Sequence, residues 1–187
     1  MSYTKAICGI DEVGRGALAG PVVVASVIFD NYKNIPNFIQ DSKKINMSKR
    51  VILFEKIKNV SKIGIGIVSV NTIDAIGISR ATNLAAIKSF RLAKFKVNKI
   101  ITDGNIKFRT KIKLNSFHKG DNNYVSIAAA SIIAKVTRDK IMIKLCKKNN
   151  RYNWKKNMGY GTKEHLLAIK KYGITELHRK SFKINNE

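Results

Sequence analysis

Apolar residues crowd two blocks near the N-terminus, Lys5 to Ile10 and Pro21 to Phe29, each dense in Val, Ile and Ala, with glycines 14, 16 and 20 between them. Two short β-branched runs around a glycine-punctuated turn predict an antiparallel hairpin. Positions 30–46 predict a loop carrying Asp41-Ser42-Lys43-Lys44, after which Met47 to Val60 sets Val51, Ile52, Phe54 and Ile57 at helical spacing. Ile63 to Val70 predicts a third strand. Asn71 or Thr72 then caps a long helix to about Ala93, with Ala81, Leu84, Ala85 and Ile87 facing inward. Asn98 to Thr102 predicts a fourth strand ending at Asp103, and Lys111 to Phe117 a short fifth. Val125 to about Lys147 is strongly helical and opens on small residues, Ser126 and Ala128 to Ser131, that permit close backbone packing. The last segment carries Met158-Gly159-Tyr160-Gly161, a short helix from Lys163 to Lys171 and a basic end, His178-Arg179-Lys180-Ser181-Phe182. With neither repeat nor linker, this order predicts one α/β domain over residues 1–187 with a mixed sheet. A chain of 187 residues buries about 70% of its unfolded surface and needs no staple.

Charge alters the picture. Only 12 acidic residues face 36 Lys and Arg, a formal net charge of +24. Such a surface attracts polyanions, with nucleic acid the first candidate, although a chain rich in Ile, Lys and Asn together also reflects AT-rich coding. The longest apolar stretch, Ile127 to Ala134, is too short to span a bilayer. Cys8 and Cys146 lie far apart without metal-ligand spacing, which predicts reduced thiols and a cytoplasmic location.

Against that basic background the few acids stand out by their positions. Asp11 and Glu12 follow an apolar run directly and precede a Gly14-Arg15-Gly16 turn; Asp103 ends a strand before Gly104; Asp121 precedes the long helix. A carboxylate near an apolar core must be paired, hydrogen-bonded or bound to a cation. Neighbouring strand residues point to opposite faces, so Asp11 and Glu12 are expected to share a site only if the strand ends there and the chain turns. Four carboxylates from separate segments repel one another unless cations compensate, and hard oxygen ligands favour two Mg²⁺ or Mn²⁺ ions. The plain alternative is a set of helix caps and surface ion pairs, open above all for Asp121.

At this point the residues carry a resemblance. Gly9-Ile10-Asp11-Glu12-Val13-Gly14-Arg15-Gly16 and Leu18-Ala19-Gly20-Pro21-Val22-Val23 resemble the signature of the bacterial ribonuclease HII family. The likeness continues through Asp41-Ser42-Lys43, Thr102-Asp103-Gly104, Lys119-Gly120-Asp121, the run from Ala129 to Asp139, and Gly159-Tyr160-Gly161-Thr162. It implies an RNase H-like fold, a five-stranded mixed sheet flanked by helices with a C-terminal helical extension over about 150–187. It also implies hydrolysis of RNA in RNA/DNA hybrids and incision 5′ of single ribonucleotides in duplex DNA, leaving a 3′-hydroxyl and a 5′-phosphate. The metal ligands it implies are Asp11, Glu12, Asp103 and Asp121, holding two Mn²⁺ or Mg²⁺ ions in a monomer.

The 2′-hydroxyl alone distinguishes RNA from DNA at the sugar. The resemblance assigns that recognition to Gly14, Arg15 and Gly16, whose backbone approaches the sugar, and to Tyr160, which stacks on the following deoxyribose. Read without it, the glycines are a tight turn and Tyr160 a half-buried anchor. Lys43 is either a phosphate contact or a solvated loop residue; Ser126, Lys135 and Arg138 form a further tier, the last two expected on a soluble helix face. His165 and His178 are expected to be structural or solvent-facing rather than general bases. Ala17 stands where the family commonly has proline, and residues 173–179 depart from its usual proline-bearing version. A start so close to the signature predicts that the added N-terminal domain of ribonuclease HIII is absent. Two other readings share some of these features: a basic module that coats RNA or hybrid, and an RNase H-like recombinase or junction resolvase indifferent to the 2′-hydroxyl.

Overall fold

A computed structural model describes residues 6–29, 31–37, 39, 45–93 and 96–184. Lys43 and the rest of 41–44 lie outside the described residues. Five strands, β1 (Ile7–Val13), β2 (Val22–Phe29), β3 (Ser61–Val68), β4 (Lys99–Asp103) and β5 (Lys113–Phe117), form one sheet in the order β3-β2-β1-β4-β5. The pairs β1/β2 and β2/β3 are antiparallel, and β1/β4 and β4/β5 are parallel. The predicted hairpin and mixed sheet are therefore present.

Strand β2 is buried along its whole length because helices cover both faces. Val23, Ala25, Val27 and Phe29 pack with α1 (Met47–Val60) and α4 (Val125–Lys148), whereas Val22, Val24 and Ile28 pack with α3 (Ile78–Leu92). The period of two sends alternate residues into two separate cores. Helix α4 lies very close to β1: a Cβ added at Gly9 would sit 2.2 Å from the Ser126 carbonyl carbon. That contact, and its burial to 3% exposure, make Ser126 a packing residue.

Two helical expectations are corrected. Helix α1 buries Leu53, Phe54 and Ile57 and leaves Val51 and Ile52 exposed, so its inward stripe is rotated from the predicted one. The long helix from 71 breaks in two, α2 (Val70–Ile76) and α3, at Gly77, whose φ of 79° is left-handed. Its cap is Ser69, whose side chain accepts from the Thr72 amide. Ala81 and Ala85 are buried as expected, joined by Thr82, Ala86 and Ser89, while Leu84 and Ile87 are half-buried.

The C-terminal segment adds α5 (Trp154–Asn157) and α6 (Lys163–Tyr172) around a third cluster containing Tyr152, Trp154 and Met142. Cys8 and Cys146 are buried free thiols, and burial pushes the Cys8 thiol up to about 12. No helix among the described residues is long and apolar enough to cross a membrane.

Candidate active site

The carboxylates meet because two neighbouring strands end unequally. Strand β4 pairs with β1 only as far as Ile10↔Thr102, while β1 continues to Val13 against β2. Beyond Ile10 one edge of β1 is open, and a cleft of ≈ 420 Å³ lies there. Asp11, Glu12, Asp103, Ser131, Lys135, Arg50 and Tyr160 line it with the Gly14-Arg15-Gly16 turn. The expectation that the strand must end at Asp11 and Glu12 is thus corrected: the strand runs on, and it is the early end of β4 that exposes both side chains to one space.

Asp11 is 5% exposed; its Oδ1 accepts from the Glu12 amide at 2.8 Å. Burial pushes its carboxyl well above the usual range, and the charges of Glu12 and Asp103 add to that, against a hydrogen bond from Ser131. Asp103 is oriented by the Gly120 amide, which donates to its Oδ1 at 2.8 Å. Asp121, on the adjacent 3-10 turn Gly120–Asn122, is 3% exposed and is not among the described residues lining the cleft. It follows Gly120, whose amide supports Asp103.

Among the described residues no three His, Cys, Asp or Glu side chains form a ready-made metal-holding group. The fit to a divalent cation lies in donor chemistry: three hard carboxylates line one cleft, and Asp11, raised first by burial and then by the charges of Glu12 and Asp103, sits where a cation would relieve both costs.

The glycine turn is held from behind by two fully buried guanidiniums. Arg138 donates to the carbonyls of Pro21 (2.9 Å), Met158 (2.7 Å) and Ala19 (2.9 Å), and its guanidinium lies 5.3 Å from the Tyr160 ring centroid. Arg179 donates to the carbonyls of Gly14 (2.7 Å), Arg15 (2.9 Å) and Gly20 (2.9 Å). The expected soluble face for Arg138 is overturned, and Arg179, within the basic end, is equally buried. An arginine in a lysine-rich sequence carries no local mark of burial; only the carbonyls converging on it reveal the role. Lys135 keeps to its expected helix face, half-buried, with Nζ 2.7 Å from Asp139 Oδ1. Ser131 and Arg50 went unpredicted at the cleft, although Ser131 precedes Lys135 by one helical repeat of four.

His165 and His178 are structural, and their protonation follows from their partners. His165 Nδ1 lies 2.9 Å from the Tyr160 carbonyl, which only accepts, so Nδ1 carries the proton. His165 Nε2 then accepts from Trp154 Nε1 at 3.1 Å and from His178 Nε2 at 3.2 Å. His178 Nδ1 in turn accepts from the Thr175 amide at 2.9 Å. Burial, then the neighbouring His165, pushes His178 from 6.5 down to about 4. The folded state therefore binds fewer protons than the unfolded one, and the stability it contributes is complete above 6.5 and lost as pH falls through about 4. Stability should fall by up to about 1.4 kcal/mol per pH unit for one proton as pH is lowered across that window, read in thermal unfolding as a falling Tm. His178→Gln, which keeps a donor near Nε2 but does not titrate, should flatten the slope; a wild-type slope in that variant would refute the assignment.

Comparison with known proteins agrees with this architecture. The family model described as Ribonuclease HII matches residues 8–185. The chain belongs to the ribonuclease HII family. It is 49% identical over 176 residues to the Ribonuclease HII of Wolbachia pipientis wMel, covering 94% of this chain and 89% of that one. Its fold matches the RNase HII of Archaeoglobus fulgidus, solved in a complex with PCNA, with a TM-score of 0.84 at 25% identity over 97% of both chains. Bst-RNase HIII, solved in complex with Mn²⁺, shares the fold with a TM-score of 0.72 at 20% identity, over 97% of this chain and 68% of that chain. As a member of that family, the protein is a ribonuclease H-type nuclease with a five-stranded RNase H-like sheet.

Proposed function

We propose that this member of the ribonuclease HII family is a single-domain, monomeric endonuclease that hydrolyses the RNA strand of RNA/DNA hybrids and incises 5′ of single ribonucleotides in duplex DNA. The products are a 3′-hydroxyl and a 5′-phosphate. One observation carries the reading: the acidic wall of Asp11, Glu12 and Asp103 and the Gly14-Arg15-Gly16 turn with Tyr160 line the same cleft. Chemistry at a phosphodiester and recognition of a sugar are thereby within one nucleotide's reach.

Asp11, Glu12 and Asp103, with Asp121 beside them, would hold two Mg²⁺ or Mn²⁺ ions. Such ions, when bound, activate the attacking water and stabilise the leaving oxygen. The chain's own contribution is orientation. Ser131 and the Glu12 amide fix Asp11, and the Gly120 amide fixes Asp103. Arg138 beneath its ring and His165 on its carbonyl hold Tyr160 ready to stack on the deoxyribose that follows the ribonucleotide. The +24 charge supplies sequence-independent affinity for the duplex backbone.

The test is cleavage of a labelled DNA duplex carrying one ribonucleotide, beside its all-DNA counterpart and a four-way DNA junction, with Mg²⁺, Mn²⁺ or chelator. A single metal-dependent cut 5′ of the ribonucleotide, with the other substrates intact, is the expected result. Cutting of the junction would identify a resolvase, and tight binding without any cut would leave a hybrid-binding protein.

A further inference from the structure

Arg179 lies outside the cleft lining, and every hydrogen bond its guanidinium donates goes to a backbone carbonyl, yet those contacts determine which way the recognition turn faces. Its Nη2 and Nη1 take the carbonyls of Gly14 and Arg15, two successive peptide units. In a planar trans peptide the N–H points opposite to the C=O, and no cis bond occurs among the described residues. The N–H groups of Arg15 and Gly16, which belong to those same two units, must therefore point away from buried Arg179. The side away from Arg179 is the cleft, which both residues line. Among the described residues neither amide meets an acceptor, and a Cβ added at Gly16 would meet nothing within 4 Å, so the approach to them is open.

Resting on the proposed function, we infer that Arg179 is a positioning residue for ribonucleotide selection: its fork orients the Gly14-Arg15 and Arg15-Gly16 peptides so that two adjacent amides donate to the ribose hydroxyl. The planar guanidinium also spans to the Gly20 carbonyl, with Nε at 3.1 Å and Nη2 at 2.9 Å, closing the two ends of the loop onto one group. Lysine, with a point charge on a flexible stem, does not reproduce that fork. The segment bearing Arg179 is itself laid against the loop, its amide donating to the Leu18 carbonyl at 2.8 Å while the Gly20 amide donates to the Leu177 carbonyl at 2.9 Å. The stretch that bears Arg179 thus belongs to the sugar-reading apparatus although Arg179 itself does not reach the substrate.

The experiment measures duplex affinity in chelator, where no cutting occurs, and reads the ratio between a duplex with one ribonucleotide and its all-DNA counterpart. Wild-type protein should prefer the ribonucleotide; equal affinities would overturn the proposed function itself. In Arg179→Lys and Arg179→Gln, with folding verified by near-ultraviolet circular dichroism, the ratio should fall about tenfold, the equivalent of one neutral hydrogen bond. With Mg²⁺ the loss should fall on KM for the ribonucleotide duplex more than on kcat. A folded variant that keeps the wild-type ratio, or weakens on both duplexes equally, overturns the positioning role. Should both variants fail to fold, amide hydrogen exchange answers in wild-type protein: the Arg15 and Gly16 amides should gain protection from the ribonucleotide duplex and not from all-DNA. Equal protection by the two duplexes would overturn the inference.

Discussion

Asp11→Asn should eliminate cleavage of hybrid and ribonucleotide-containing duplexes while making the metal-free protein more stable. Loss of one charged ligand removes several kcal/mol of transition-state stabilisation, or about 10³-fold and more in rate. Duplex affinity should hold, because backbone phosphate contacts supply most of it. The gain in stability has a separate cause: a buried carboxyl raised well above its usual range, first by burial and then by Glu12, destabilises the fold when ionised. A group whose folded pKa is raised holds its proton longer when folded, so its ionised form costs stability as pH rises through that value. Asparagine keeps the shape and the acceptor for the Glu12 amide without the charge. Single-turnover kinetics and thermal unfolding in chelator at neutral pH check both parts. Residual turnover above a few per cent would remove Asp11 from the chemistry, and an unchanged or lowered Tm would contradict the charge crowding.

Gly14→Ala and Gly16→Ala should separate, although the two glycines look alike in the sequence. Gly14 has φ 88°, and a Cβ there would lie 2.1 Å from Arg138 Nε, which is pinned by its bond to the Pro21 carbonyl. Left-handed strain and a collision with an immobile neighbour together cost about 3 kcal/mol or more, lowering Tm by roughly 6–12 °C for a chain of this size. Gly16 is exposed with open space where its Cβ would go. Alanine there should leave Tm unchanged or slightly raised, yet reduce ribonucleotide cleavage about tenfold by holding the sugar away from the amides. Unfolding curves and kcat/KM for the pair settle it. Comparable Tm losses would mean that both glycines serve the turn alone, and a fully active Gly16→Ala would remove the close approach of backbone to sugar.

The sequence by itself determined the elements and the identity of the acids. Apolar runs of strand length, the small-residue opening of α4 and the break after each run are local properties, set by side-chain period and turn chemistry, and they predicted a five-stranded mixed sheet that is present. The oddity of Asp11 and Glu12 was legible because acids rarely follow an apolar strand without a reason. Gly77 was not legible as a helix break, since a lone glycine is tolerated within a helix and only the packing of α3 on β3 demands the turn there. The inward stripe of α1 was misjudged for a similar reason: Val51 and Ile52 are as apolar as Leu53, and which of them is covered depends on where α4 lies.

Only the tertiary structure decided how the acids meet and what holds the turn. The open edge of β1 exists because its pairing with β4 stops at Ile10, three residues before β1 ends at Val13, a matter of register between strands about ninety positions apart. Likewise Arg138 and Arg179 acquire their roles from carbonyls contributed by residues 14–21 and 158. A guanidinium's burial depends on acceptors that converge on it from distant segments, and no local pattern of charge or hydropathy encodes that convergence.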